Sequence, residues 1–266
     1  MAGNEKYFKL YGPVKEVRNR ETRGQGWQGE TVEQNIALCP FQSIEPLFRK
    51  LLPKTGKILE AGCGLGRWVF YLRNLGYDVV GIDLSHDAID AAKAYDRSVP
   101  ILYKDVAHTE FEDRSFSAVI SLGVVEHFEE GPQGVFEETF RILRDDGLFF
   151  ITVPFQNMLR ILFINHIRRF RHLQWKAGRI PVAFEEYHFG RQQIVTLLQS
   201  ARFEVIEIAP DDFIAPKNMG MYADSRLFQA GTKWELNPLG RIINSTLQSL
   251  SPWLTCAGIL CICRKR

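Results

Sequence analysis

Ile58-Leu-Glu-Ala-Gly-Cys-Gly-Leu-Gly-Arg67 passes from an apolar pair through an acid into glycines at positions 62, 64 and 66, and the amphipathic run Trp68–Leu75 follows at once. The pattern reads as strand, glycine turn, helix. Glycine tolerates φ > 0 and lets a ligand lie against bare backbone. A helix N-terminus beside such a turn offers unpaired N–H groups and a partial positive charge. In open α/β sheets ligands bind outside the carboxyl ends of the strands, so the stretch marks a site for a nucleotide-type ligand.

Outward from this turn the chain keeps alternating. Strands are expected at Lys57–Ala61, Asp78–Ile82, Ile101–Tyr103, Phe116–Leu122 and Leu148–Val153. Helices are expected at Leu65–Leu75, at Ser85–Ala94 with Ser85 as N-cap, and at Val135–Leu143, the last followed by a turn at Arg144-Asp-Asp-Gly147. Such alternation means a mostly parallel sheet with right-handed crossovers and helices on both faces. Before it, Phe41–Leu52 has helical spacing and stops at Pro53-Lys-Thr-Gly56. After Pro154 comes an insertion at about 155–189, then a helix (Gln192–Ser200) and a strand (Phe203–Ile208). A second insertion at about 210–253 leads to a last strand, Ala257–Cys263. Residues 1–39 read as a loosely structured arm ahead of one domain at 40–266. Trp27 in that arm either packs on the domain or closes over a ligand.

Composition narrows the function classes. With 266 residues, 45% hydrophobic, the chain can bury a full core, and a net charge of +2 gives no global field pointing to nucleic acid. No run approaches the roughly 18 apolar residues of a spanning helix, and Met1-Ala-Gly-Asn-Glu-Lys6 has no apolar signal core. The five cysteines form no CxxC pair, which suits a reducing cytoplasm better than a disulfide framework. Cys261 and Cys263 alternate as one face of a strand. Asp145-Asp146-Gly147 is ordinary turn chemistry, and no metal is expected.

The ligand follows from what lines the strand ends. A dinucleotide fingerprint wants a third glycine where Arg67 stands, which argues against NAD. Asp83 ends the second strand and can accept both hydroxyls of a ribose; Asp105 ends the third and can accept an adenine amino group. Leu84 and Val106 follow them and can sandwich a flat base. Glu60 would repel a pyrophosphate but suits a cationic ligand. Together these positions ask for ribose, adenine and positive charge.

Residues 58–67, Gly81-Ile-Asp83, Lys104-Asp-Val106, Val119-Ile-Ser-Leu-Gly-Val-Val-Glu-His127 and Arg141-Ile-Leu-Arg-Asp-Asp-Gly147, in this order, resemble the successive motifs of class I S-adenosylmethionine-dependent methyltransferases. The nearest group is the small-molecule branch typified by ubiquinone and menaquinone biosynthesis. The likeness covers about residues 45–153 and resumes at 187–208. It implies a Rossmann-like, seven-stranded α/β sheet with an antiparallel last strand, plus helical lid insertions, and S-adenosylmethionine as cofactor. It also implies that Glu60, Gly62, Cys63 and Gly64 line the methionine part, Asp83 holds the ribose, and Asp105 and Val106 meet the adenine. Ser121 and Leu122 would pass beneath the cofactor, and Tyr187 and His188 would lie where the family places acceptor contacts.

Methyl transfer from a sulfonium mainly needs alignment, and a base helps only an acceptor that keeps its proton. His127, just past the strand Phe116–Leu122, is the candidate base, since a histidine titrates near pH 6.5; the alternative is that Glu126-His127 orients the loop. No Asp/Asn-Pro-Pro-aromatic motif follows that strand, which speaks against the amino-methylating nucleic-acid enzymes. The expected partner is therefore a small-molecule acceptor, hydrophobic or aromatic, methylated on oxygen or nitrogen rather than carbon. A non-catalytic methyltransferase-like binding subunit and an NAD-dependent oxidoreductase are the alternatives, the latter disfavoured by Arg67 and Glu60. Oligomeric state is not legible.

The first insertion has no Asp or Glu between Gly147 and Phe184, yet holds Arg160, Arg168, Arg169, Arg171, Lys176 and Arg179. Leu159, Phe163, Ile167 and Phe170 recur at helical spacing, so segment 158–175 reads as a basic amphipathic helix. The favoured expectation is a lid whose apolar face closes the pocket; the other is peripheral contact with an anionic membrane.

Overall fold

The computed structural model describes residues 8–14, 29–212, 219–224, 226–231 and 235–266; Trp27 lies outside them. In chain order the elements are β1 (Phe8–Pro13), α1 (Val32–Leu38), α2 (Glu45–Leu51), β2 (Ile58–Ala61), α3 (Arg67–Asn74), β3 (Val79–Asp83), α4 (His86–Tyr95), β4 (Ile101–Tyr103), β5 (Phe116–Leu122), α5 (Gln133–Ile142) and β6 (Leu143–Pro154). There follow α6 (Asn165–Ala177), β7 (Val182–His188), α7 (Arg191–Ser200), β8 (Phe203–Asp211), α8 (Met219–Asp224), α9 (Pro238–Leu250) and β9 (Gly258–Lys265).

Seven strands form one sheet in the order β4-β3-β2-β5-β6-β9-β8. All neighbours are parallel up to β6; β9 runs antiparallel between β6 and β8. This is the expected Rossmann-like architecture, antiparallel last strand included. Alternate residues feed opposite faces. Ile58, Ile120, Phe150 and Ile262 enter one core cluster, and Leu59, Val119, Phe149, Ile151, Cys261 and Cys263 enter the other. A sheet buried on both sides needs apolar residues on both. All five cysteines are free and buried. No helix among the described residues is long and apolar enough to cross a membrane.

Several elements differ from expectation. The stretch read as a loose arm contributes α1, which starts in a capping box: Gln34 N–H donates to Thr31 Oγ1 at 3.2 Å and Thr31 N–H to Gln34 Oε1 at 3.3 Å. It also contributes β1, which pairs antiparallel with β7 from Phe8↔His188 to Pro13↔Val182. The turn at Arg144–Gly147 is a looped-out irregularity within β6: the pairing jumps from Phe116↔Leu143 to Ala118↔Leu148, with Asp146 at φ 61°. The helix expected over Phe41–Leu52 begins only at Glu45, after a 3-10 turn at Cys39–Phe41.

The basic amphipathic helix is present, as a π turn at Arg160–Ile164 running into α6. The expectation that its apolar residues line the pocket is wrong. Phe163, Ile167, Phe170 and Leu173 are exposed, whereas Arg160 and Asn165 are buried. The reason is a set of polar anchors on the inward face. Arg160 pairs with Asp224 (Nε–Oδ2 2.9 Å) and donates to the carbonyls of Phe155 and Ala257 at 2.7 and 3.0 Å. Arg168 pairs with the other Asp224 oxygen at 3.0 Å, and Asn165 Nδ2 donates to Gln156 Oε1 at 2.8 Å. Asp224 thereby ties the second insertion to the first.

Breaking a buried ion pair from one side leaves an uncompensated charge and costs about 3–5 kcal/mol. Asp224→Ala, which strands both Arg160 and Arg168, should lower unfolding stability by that order in urea titrations. In the opposite core, Trp68 is fully buried edge-on to Phe48 (centroids 4.9 Å apart), and its Nε1–H has no acceptor among the described residues. Trp68→Ala should therefore cost about 3–5 kcal/mol and Trp68→Phe much less, read in the same titrations.

Candidate functional site

Strand order reverses between β2 and β5: β3 and β4 lie to one side of β2, β5 and β6 to the other. The crevice of an open α/β sheet forms at such a switch point, and here it receives the turn after β2 and the loop after β5. Gly62, Gly64 and Gly66 all take left-handed conformations, with φ of 81°, 52° and 74°. A Cβ on Gly62 would stand 2.4 Å from Cγ2 of Val124, just beyond β5, and one on Gly66 would stand 2.4 Å from Cδ1 of Ile101 on β4. At both positions the left-handed φ favours glycine, and at Gly62 the branched Val124 side chain also leaves no room for a Cβ. The turn is lashed to β3: Gly62 and Cys63 N–H both donate to the Ile82 carbonyl, at 2.8 and 3.0 Å.

Asp83 completes that attachment. Its Oδ2 accepts from Gly64 N–H at 2.7 Å and its Oδ1 from Ser85 N–H at 2.8 Å. No Lys or Arg among the described residues pairs with it. Leu84 beside it is half-buried. Asp105 follows β4, and its Oδ1 accepts from Ala107 N–H at 2.9 Å; Val106 beside it is buried. Both aspartates thus stand beyond adjacent strand ends, as their sequence positions suggested.

Glu60 is buried on β2, with Oε2 accepting from Val69 N–H at 3.0 Å, so the acid caps the first turn of α3. Its pKa is pushed up to about 8, chiefly by burial, with the Asp83 charge adding; Arg67 and the Val69 N–H oppose. Cys63 is buried as well, and its thiol is held well above the ordinary range by desolvation, hence protonated and inert as a nucleophile. Ser121 is buried near the end of β5 with no hydrogen-bond partner for its hydroxyl among the described residues, and Leu122 is half-buried next to it.

His127 ends a 3-10 turn, Val125–His127, just past β5. Its Nδ1 lies 3.1 Å from the carbonyl oxygen of Glu185 on β7. A carbonyl only accepts, so Nδ1 carries the hydrogen and Nε2 bears the lone pair of the neutral ring. Nε2 is 3.5 Å from Glu126 Oε1. Glu126, His127 and Glu186 each bring a ligand-type atom within 4.8 Å of one another. Such a grouping has the make-up of a base with counter-charges and equally that of a cation site. Glu186 escaped the sequence reading because it lies far along the chain, on a strand that was not foreseen.

Tyr187 and His188, expected near an acceptor, are interior residues of β7, only 3% and 1% exposed. Tyr187 donates its hydroxyl to the Glu129 carbonyl and packs against Phe184 and Phe189. His188 Nε2 donates to Glu186 Oε1 at 2.8 Å, and Arg168 approaches its Nδ1 at 3.4 Å. Burial holds its pKa below the usual value, so the ring is neutral. Polar contacts therefore run from Asp224 through Arg168 and His188 to Glu186, whose carboxylate lies within 4.8 Å of a ring nitrogen of His127.

Comparison with known proteins adds the decisive observation: a family model described as a methyltransferase domain matches residues 59–151, the span from the glycine turn through β5 into β6. Residues 59–151 are a methyltransferase domain. Over and around that span the chain is similar to S-adenosylmethionine-dependent methyltransferases. A probable S-adenosylmethionine-dependent methyltransferase of Mycolicibacterium smegmatis is 28% identical over 62% of this chain and 59% of its own length. A ubiquinone biosynthesis O-methyltransferase of Paraburkholderia phymatum is 28% identical over 49% of this chain and 60% of its own. Phosphoethanolamine N-methyltransferase 3 of Arabidopsis thaliana is 33% identical over 36% of this chain and 20% of its own. The chain thus spans less than two thirds of each of these relatives. Among solved structures, an S-adenosylmethionine-dependent methyltransferase of Methanosarcina mazei shares the fold with a TM-score of 0.57 at 19% identity, over 83% of this chain and 97% of that one.

The methyltransferase domain carries a titration signature at Glu60. An unfolded carboxyl loses its proton near pH 4.5, whereas folded Glu60 keeps it to about 8. Between those values the folded state binds more protons, so this group's contribution is full below about 4.5 and is lost as pH rises through about 8. Glu60→Gln should flatten the decline in unfolding stability between pH 5 and pH 9, measured by urea titration beside wild type; identical profiles would place Glu60 as a carboxylate at neutral pH.

Proposed function

We propose that the protein binds S-adenosylmethionine in the β2–β5 crevice and transfers its methyl group to the oxygen or nitrogen of a small acceptor with an apolar or aromatic body. What supports this reading is that Asp83, Asp105, Ser121 and His127 stand at or just past the carboxyl ends of β3, β4 and β5, on either side of β2. The donor set suits the ligand. Asp83, with no cationic partner among the described residues, has lone pairs for ribose hydroxyls, and Asp105 has them for an amino group. The unsatisfied Ser121 hydroxyl lies at the end of β5, where Leu122 would pass beneath the ligand. Gly62, Cys63 and Gly64 would line its amino-acid portion. Glu60 supports it through the α3 N-terminus; a cation nearby would draw the buried acid toward its carboxylate form.

The cofactor, when bound, supplies an activated methyl on a sulfonium. The chain's own task is then alignment and proton removal. His127 Nε2 is the atom for the second task. The Glu185 carbonyl fixes the tautomer, and the Glu126 and Glu186 carboxylates stabilise the imidazolium that forms once the acceptor proton is taken. Val124, Phe155 and Phe184, half-buried against the core beyond β5 and β6 and on β7, supply apolar surface. Tyr187 and His188 take part by holding β7, and so the Glu185 carbonyl, in place. The O- and N-methyltransferase relatives are consistent with a base near the acceptor.

A thermal-shift comparison of S-adenosylmethionine, S-adenosylhomocysteine and NADH should stabilise the protein with the first two only. Gly64→Val should abolish that shift, because a branched residue at φ 52° is strained and its side chain enters the crevice. His127→Ala should keep the affinity for S-adenosylhomocysteine in calorimetry yet slow transfer of labelled methyl to a phenol and amine panel by about 10²–10⁴-fold; a rate within a few-fold of wild type would reduce the histidine to a loop anchor.

A further inference from the structure

The helix of the first insertion is built inside out. A surface helix of a soluble domain normally turns its apolar stripe inward and its charges outward. Here Arg160, Asn165 and Arg168 face inward and are pinned by Asp224, Gln156 and two carbonyls, while Phe163, Ile167, Phe170 and Leu173 stand out, at 61%, 55%, 63% and 63% exposed. Rotating the helix to hide the stripe would bury other side chains and strand those ion pairs, so the outward orientation is fixed by the fold.

Charge around the stripe is one-sided. At 3.6 residues per turn, Arg171 falls on one flank of Ile167–Phe170–Leu173 and Arg169 on the other, with Lys176 and Arg179 beyond; all four are exposed. No acid occurs between Gly147 and Phe184. A second amphipathic helix repeats the arrangement. In α9, Gly240 and Asn244 are buried while Leu239, Ile242 and Leu250 are exposed. Its neighbourhood is acid-free too: Leu236–Leu250 contains Arg241 and neither Asp nor Glu. Both helices are connected to the end of the sheet where β6 stops and β9 starts, one through the Arg160–Ala257 bond and the other through residues 251–257.

We propose that this face docks on an anionic lipid surface, with the stripe of α6 in the acyl boundary and its arginines and lysines among the headgroups. An exposed aromatic stripe with a basic border is the make-up of an interfacial helix. Charge decides against a second copy of the chain. A two-fold contact through this stripe would set one basic border against another, whereas phosphate-bearing lipid complements it. The inference is independent of the methyl-transfer reading, because none of these residues lies among the groups of the crevice.

The test is co-sedimentation of the full chain with phosphatidylcholine vesicles, with and without phosphatidylglycerol. Binding is expected to the anionic vesicles at low salt and to weaken as salt rises. Phe163→Ser with Phe170→Ser should reduce the bound fraction about tenfold or more, and Arg171→Glu with Lys176→Glu should remove the preference for phosphatidylglycerol. Both variants should keep wild-type melting temperature and affinity for S-adenosylhomocysteine, which separates lost docking from lost folding and from failure of the crevice assignment. Absence of vesicle binding at low salt, or serine variants that bind like wild type, would overturn the proposal. So would a concentration-dependent dimer abolished by the serine substitutions, which would assign the face to a second copy.

Discussion

The backbone hydrogen bonds at the end of β3 are the constraint on which the site depends. The Ile82 carbonyl takes two N–H groups of the glycine turn, and the Asp83 carboxylate takes a third from Gly64 while holding Ser85, the N-cap of α4. A tight turn between buried strand and helix must find partners for its N–H groups, since a buried unpaired donor is costly. Here those partners come from the adjacent strand, so the turn after β2 and the end of β3 are one rigid piece. Gly62 then admits Val124 to contact, which brings the loop after β5 against the same piece. Position of the three loops follows from backbone chemistry, before any ligand is considered.

Much of this was legible in the sequence because it is local. The βα alternation, the glycine turn, Ser85 as N-cap and the paired apolar faces of the strands all derive from residues within a few positions of one another. The reasons were less legible than the positions. Gly62 and Gly66 looked like a ligand cradle, yet they are glycines first because both take a left-handed φ and, at Gly62, because Val124 occupies the space of a Cβ. Glu60 looked like a bare charge and is instead a buried helix cap. The capping box of α1 was present in Thr31-Val-Glu-Gln34 and was overlooked beside a polar, glycine-containing stretch. Strand β1 carried no readable signal, because six residues ending in Gly-Pro take their meaning from a partner far along the chain. Periodicity located the stripe of α6 but not its direction, since that sign is set by Asp224 in another insertion.

Charge burial explains how the two insertions become one unit. Arg160 and Arg168 share one carboxylate, and Nη1 of Arg160 also reaches main-chain carbonyls at the β6–β9 end. Buried charges of this kind contribute more to specificity of arrangement than to net stability. Their effect extends along β7, where His188 and Glu186 connect the same network to the neighbourhood of His127. The inward side of α6 is thus linked through polar contacts to β7 beside His127.

The ribbon of β1 and β7 has a kinetic consequence. Its two strands are separated by most of the central sheet in sequence, so their pairing closes a very long loop, and the entropy of that closure must be met before any hydrogen bond of the ribbon forms. The pairs β2–β3, β3–β4 and β5–β6 need no such wait, being neighbours along the chain. During synthesis these pairs can form while residues 8–13 await their partner, so the segment carrying Glu185 and Glu186 is fastened after them. The surroundings of His127 would therefore acquire their shape after those strand pairs have formed.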